Sequence, residues 1–358
     1  MVVGVGKTLF HRLKKTLGSP EQVFRSTRSQ LMSVEGIGEK TANEILNFDL
    51  AEHVDREFRL AARLGIRILT LESSEYPELL KTIYDPPPVL YCQGEPLDRL
   101  PFCLAVVGTR LPTRYGKIVT ESICEALASW GICIVSGMAR GIDTLAHKTA
   151  LKCGGKTVAV LGCGLSQTYP AENLALRERI VEQGAVISEF PISTAPDRNN
   201  FPARNRVISG LSCGTLVVEA GEKSGALITA QFALEQGREV LAVPGNINSP
   251  KSRGTNLLVK TGAKLVDGIE SILEELPFEV REGLQSPGPG PGLPEDLTDI
   301  EKRIISLLTG EERHIDGLIE NSQLSAAEVS ATLIRLELKG LIRQLEGKMF
   351  IRANSKGK

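Results

Sequence analysis

Six short apolar runs rich in valine and isoleucine, at 104–107, 132–135, 157–161, 186–188, 215–218 and 240–243, alternate with segments of helical character. Each crossover between parallel strands needs a helix's worth of chain, so this alternation is the pattern of a parallel sheet covered on both faces. The chain therefore predicts an α/β, Rossmann-like, doubly wound parallel sheet, with ligands expected outside the carboxyl ends of the strands. The sheet domain is placed at 65–276. Its first part, 65–101, carries Tyr76-Pro77 and Asp85-Pro86-Pro87-Pro88 and reads as an extended lead-in.

The 358 residues exceed one average domain, and further segments are expected on both sides of the sheet. Ser33-Val34-Glu35-Gly36-Ile37-Gly38-Glu39-Lys40-Thr41-Ala42 is a helix-hairpin-helix signature, and it predicts a helical (SAM-like) domain at 1–64. Its two glycines permit a tight interhelical turn whose amides can face a phosphate. Gly4-Val5-Gly6-Lys7-Thr8 reads as an earlier copy whose first helix is missing or very short. A Walker A reading of Gly6-Lys7-Thr8 fails, because the first glycine of that pattern falls on Met1 and no strand precedes it. A helical packing module that meets no nucleic acid is the competing reading of this domain.

Proline and glycine alternate near the end of 277–296, which predicts a linker. Beyond it, 297–358 has the pattern of three helices and a short hairpin, a winged helix. Ser325 and Glu328 supply a capping box for the third helix. That helix has cations only at Arg335 and Lys339, so a protein contact or auxiliary role suits it better than duplex reading.

The net charge of −1 means that any attraction for phosphate must come from local clustering of Lys and Arg. Seven cysteines, with no Cys-x-x-Cys pair, fit neither a disulfide framework nor a zinc site. No apolar run approaches the length of a membrane helix, and the start lacks a secretory pattern. A cytoplasmic protein without metal, cofactor or membrane partner is expected.

The loops that follow the strands are glycine-rich without forming a single dinucleotide fingerprint: Gly108-Thr109-Arg110, Ser136-Gly137-Met138-Ala139-Arg140-Gly141, Gly162-Cys163-Gly164, Gly214-Thr215 and Pro244-Gly245-Asn246. Glycine at strand ends lets an extended anionic backbone come close. Val106-Val107-Gly108-Thr109-Arg110, Tyr115-Gly116, the stretch 136–143 with Ala146-His147, the stretch 162–170 ending in Tyr169-Pro170, Phe201-Pro202-Ala203-Arg204-Asn205-Arg206 and Val218-Glu219-Ala220 together resemble the DNA-processing protein A family (DprA, also called Smf) from about residue 76 to 267. The resemblance implies a Rossmann-like domain that holds single-stranded DNA, forms homodimers and helps load the RecA recombinase in recombination or natural transformation. It also implies that Arg110, Arg198, Phe201 and Arg204 belong to the DNA pocket.

Physically, Pro202 suits the first position of a helix whose dipole would face a phosphate, and a base stacked on Phe201 between cations is a sequence-tolerant mode of strand binding. The candidate DNA contacts are Gly108, Thr109, Arg110, Ser136, Gly137, Arg140, Gly141, Arg198, Phe201, Arg204, Asn205 and Arg206, with no catalytic residue expected. Competing readings put Arg110 in a structural ion pair, Phe201 in the core and Arg206 in a pair with Glu219. His147 reads as a packing residue, and Asp143 as a cap.

The rival function is a nucleotide-binding or nucleoside-monophosphate phosphoribohydrolase-like enzyme. The segment 211–219 resembles the motif of such enzymes but lacks Pro-Gly-Gly and spaces Thr215 and Glu219 one residue too far apart. On a strand, that one residue turns the carboxylate to the other face.

Overall fold

The structure is a computed structural model that describes residues 2, 4–284, 297–308, 313–339 and 341–352. It contains two compact units, 1–287 and 288–358.

The first unit opens with helices α1 (Lys7–Leu17), α2 (Pro20–Arg25), α3 (Arg28–Met32), α4 (Glu39–Leu46) and α5 (Leu50–Leu64). Capping boxes start α2 at Ser19 and Gln22, and α3 at Thr27 and Gln30. The hairpin between α3 and α4 turns at Gly36, whose φ of +89° favours glycine. Leu13, Val23, Leu31, Val34, Ile37, Ala42 and Ile45 form a small core around it. The earlier glycine turn is present too, with Gly4 at φ +82° beside Thr41. No strand precedes Lys7 among the described residues, so the P-loop context is missing.

Nine strands follow: β1 (Arg67–Thr70), β2 (Val89–Gly94), β3 (Cys103–Val107), β4 (Cys133–Ser136), β5 (Thr157–Val160), β6 (Ala185–Ser188), β7 (Gly214–Val217), β8 (Glu239–Ala242) and β9 (Lys264–Leu265). Their order in the sheet is β1-β2-β6-β5-β4-β3-β7-β8-β9. From β6 to β9 all pairings are parallel. The segment expected as an extended lead-in instead supplies β1 and β2, which extend the sheet beyond β6 through two antiparallel pairings, β2 with β6 and β1 with β2. Short turns and prolines around these strands hide them from a search for βα alternation.

Successive residues of a strand face opposite sides, and the central strands are apolar on both. Ala105 and Val107 of β3 pack into one core layer while Leu104 and Val106 pack into the other. The first layer takes helices α10 (Asn200–Gly210) and α11 (Gly225–Glu235), through Val207, Ile208, Ala226 and Ala230. The second takes α7 (Arg114–Ser129) and α8 (Ile142–Lys152), through Ile123, Leu127, Ala146 and Ala150. The strand order reverses at the pair β3 and β7, because β4 to β6 continue on one side and β8 on the other. This switch point opens a crevice at the carboxyl ends of the strands.

Residues 277–284, expected as the beginning of the linker, instead include the helix Phe278–Gly283. Val280 is buried in the layer that holds Leu276, so apolar burial holds this stretch on the sheet unit. The alternating Pro-Gly residues of 285–296 lie outside the described residues.

The second unit has helices Asp299–Leu307, Ile315–Ser322 and Ala326–Leu338, and strands Ile342–Leu345 and Met349–Arg352, joined by a short strand Arg313–His314. The expected capping box is complete: Ser325 N donates to Glu328 at 2.9 Å and Glu328 N to Ser325 Oγ at 3.3 Å. This is a winged-helix domain around Ile304, Leu318, Leu333 and Phe350.

Candidate nucleic-acid interface

Arg110, Gly137, Ala139, Arg140, Tyr169, Pro170, Phe201 and Arg204 meet in one crevice, drawn from the loops after β3, β4 and β5 and from the start of α10. The void between them is about 20 Å³, which holds about one water molecule. Anything larger has to lie across its mouth. At that mouth the exposed Arg110 guanidinium stands 5.9 Å from the Phe201 ring centroid, within cation–π range. Arg110 makes no ion pair among the described residues, against the competing structural reading. Phe201 is half-buried, stacking against Tyr169 at 5.3 Å with a tilt of 37°. It is both a brace and an exposed surface.

Glycine is required where the loops approach closely. A Cβ on Gly137 would sit 2.7 Å from the Arg204 guanidinium. Gly141, at φ +82°, leaves 2.3 Å between such a Cβ and the Thr109 carbonyl oxygen. Thr109 N donates to the Glu219 carbonyl at 2.7 Å, tying the β3 and β7 loops together, and a Cβ on Gly108 would strike Ile142. Gly108, Thr109 and Gly141 thus shape the Arg110 loop.

Several expected contacts are corrected. Ser136 is fully buried and donates from Oγ to the Val106 carbonyl at 2.7 Å, so it stitches β4 to β3. Arg204 is 5% exposed and spends Nη1 on the carbonyls of Gly137, at 2.8 Å, and Val160. It forms the floor of the crevice. Asn205 is occupied, accepting from Arg204 Nε at 3.2 Å and donating to the Gly225 carbonyl at 3.2 Å. Arg206 leaves the site altogether: it is 1% exposed and pairs with Glu189 and Asp85, not with Glu219. On a helix, consecutive residues diverge by about 100°, which turns Arg206 into the protein when Arg204 faces the crevice.

Arg198 is exposed on the loop before α10 but does not line the crevice. Arg140 lines it while bound through two nitrogens to Glu172. Pro202 sits at the third helical position, because α10 begins at Asn200, so the free amide that is missing is the third of the helix and not the first. Tyr169 and Pro170 are crevice residues that the candidate set lacked. The signal was a Tyr-Pro pair ending the long loop after β5, within the motif that carries the family resemblance.

Two buried ionisable groups lie under this floor. Burial lifts the Asp143 carboxyl to about 6, offset in part by Arg204 and by backbone amides of Ala139 and Gly137. Burial lowers His147 to about 3, with Arg204 adding to the effect, while its Nδ1 lies 2.7 Å from Thr157 Oγ1. It is a packing residue. The raised Asp143 value stabilises the native state at acid pH, and that contribution is lost as pH rises from about 4 to about 6. The depressed His147 value stabilises it above about pH 6.5 and is lost as pH falls toward about 3. The two slopes oppose each other between pH 4 and 6. The stability difference between the native chain and His147→Asn is expected to shrink by about 1.4 kcal/mol per pH unit below 6.5. Urea midpoints at a series of pH values check this, and a pH-independent difference would refute it.

Glu219, the carboxylate of the rival reading, is 2% exposed and accepts from Thr113 N at 2.8 Å and Thr113 Oγ1 at 2.7 Å. Among the described residues, no group of three or more His, Cys, Asp or Glu is arranged to hold a metal ion. None of the seven cysteines forms a disulfide. No helix of the described residues is long and apolar enough to cross a membrane.

A Rossmann-like sheet carrying an arginine–aromatic crevice, with a helix-hairpin-helix before it and a winged helix after it, defines a DNA-processing type of protein. The chain matches the DNA recombination-mediator protein A family over residues 67–277, the DprA winged helix domain over 288–348 and the helix-hairpin-helix motif over 19–48. It belongs to the DNA recombination-mediator protein A (DprA/Smf) family. Protein Smf of Synechocystis is 35% identical over 98% of this chain and 96% of its own. The DNA processing protein DprA of Bacillus subtilis is 45% identical over 60% of this chain and 72% of its own. Among solved structures, DprA of Streptococcus pneumoniae superposes with a TM-score of 0.65 at 34% identity, covering 76% of this chain and 99% of that one. DprA of Helicobacter pylori, described for its single-stranded DNA binding mode, gives 0.53 at 32% identity, covering 59% and 98%.

Proposed function

We propose that this chain binds single-stranded DNA across the Arg110–Phe201 crevice as a non-enzymatic DNA-processing factor of recombination or natural transformation. The observation that carries this reading is an exposed guanidinium, without an ion pair among the described residues, set over an aromatic ring at the strand ends. A base on Phe201 with its phosphate on Arg110 needs no particular sequence. The single-stranded DNA binding mode described for the H. pylori relative supports it.

The family relationship supports RecA as partner, a homodimer and a cytoplasmic location. The exposed edge strand β9, which includes Leu265, and the exposed Leu257 on the helix before it support self-association. Both oxygens of the Glu219 carboxylate are engaged by Thr113, which argues against hydrolysis. Steady release of base from adenosine monophosphate, lost in Glu219→Gln, would overturn the non-enzymatic reading.

Fluorescence anisotropy tests the binding reading. The native chain is expected to prefer one-stranded over duplex oligonucleotides and to weaken as salt rises. Arg110→Ala is expected to lower one-strand affinity about tenfold, in the range of one charge-assisted contact. Equal affinity for the two forms, or an unchanged Arg110→Ala, counts against the crevice.

A further inference from the structure

On the other side of the Arg110 loop lies a second, open cavity of about 610 Å³, lined by Thr113, Tyr115, Glu219, Pro244, Gly245 and Ser252, among others. It sits at the parallel pair β3 and β7, where the strand order reverses, the place at which open α/β sheets receive ligands. Tyr115 is 48% exposed, and its hydroxyl donates to the Pro244 carbonyl at 2.9 Å, which fixes the ring at the cavity's edge. Arg114 and Lys117, both exposed, stand one position before and two positions after it at the start of the helix, and neither makes an ion pair among the described residues.

Helix stability does not account for these two cations. They occupy the beginning of α7, where the helix dipole disfavours positive charge and where no acidic residue offsets them. Glu219, which accepts from Thr113 through both oxygens, lines this cavity with a carboxylate charge, so the cavity suits a base and leaves the phosphates outside it. The arrangement is an exposed aromatic ring at a cavity's edge, on the first turn of the helix that follows the Arg110 loop, with two unpaired cations on that same turn.

We propose that a single strand held at the crevice continues across the Arg110 loop and lays a further base on Tyr115, with its phosphates near Arg114 and Lys117. This rests on the crevice reading. It adds a second stacking subsite and a direction for the strand, from the β4 and β5 loops toward the β8 loop. Sequence-tolerant binding of this kind uses one ring per base and one cation per phosphate.

The experiment compares two oligothymidylates, of roughly four and roughly fifteen nucleotides, the short one matching a single crevice. Tyr115→Ala is expected to lower affinity for the long strand about tenfold and to leave the short one unchanged. Tyr115→Phe is expected to behave as the native chain, since the ring and not the hydroxyl meets the base. Arg114→Ala with Lys117→Ala is expected to reduce the salt slope on the long strand by about 1.4, two phosphates' worth. Equal loss at both lengths, no loss at either, or a Tyr115→Phe loss as large as that of Tyr115→Ala overturns the subsite. The last result assigns Tyr115 to bracing Pro244. Arg110→Ala on the short strand reports on the crevice alone, so failure of the subsite and failure of the crevice are separable. A native chain that binds neither length overturns both.

Discussion

Arg206→Ala is expected to destabilise the first unit by about 3–5 kcal/mol, the cost of leaving buried carboxylate charge without its cation. The guanidinium is 1% exposed, pairs with Glu189, donates to the Asp85 carbonyl at 2.8 Å and has its Nε 3.5 Å from Asp85 Oδ2. It therefore ties the end of the β6 loop and the proline-rich turn before β2 to helix α10. Whole domains are stable by only about 5–15 kcal/mol, so the loss is a large fraction of the total. Equilibrium urea unfolding measures it, and a shift below about 1 kcal/mol would mean that the carboxylates find water instead. Arg206→Ala with Glu189→Gln should recover part of the loss, because it removes one of the orphaned charges.

The second large effect is functional. Arg110→Ala combined with Phe201→Ala is expected to weaken single-strand binding by about 2–4 kcal/mol, roughly 30- to 1000-fold, summing a stacked base and a phosphate contact. The two side chains touch, so the combined loss should differ from the sum of the single losses. Phe201 also packs on Tyr169 and close to Gly162, so thermal unfolding must accompany the titration. Phe201→Leu retains much of the apolar bulk while removing the π face. If it binds as tightly as the native chain, the ring serves packing and the stacking reading fails.

The contrast between Arg204 and Arg206 explains why one stretch of sequence misled and informed at once. Phe201-Pro202-Ala203-Arg204-Asn205-Arg206 shows three polar candidates beside an aromatic ring, and nothing local distinguishes them. The helix turns them to different surroundings: Arg204 to carbonyls under the crevice, Asn205 to α11, Arg206 to two carboxylates. Ser136 misled in the same way, since a serine at a strand's end reads as available until its hydroxyl is found on a neighbouring strand's carbonyl. Conversely, the exposure of Arg110 was legible because no companion charge stood in its own loop.

What the chain specifies by itself is its repetition of apolar runs, its glycines and its caps, since these act within a few residues. They determine the parallel strands from β3 to β8, the hairpin at Gly36, the box at Ser325 and the positions at which loops must pass closely. Tertiary packing alone decided that β1 and β2 join the sheet antiparallel and that Val280 belongs to the core. It also decided which arginine faces solvent and which is sealed between carboxylates. The physical reason is range: backbone propensity and side-chain periodicity are local, whereas desolvation and charge pairing depend on residues more than a hundred positions away, as Asp85 is from Arg206.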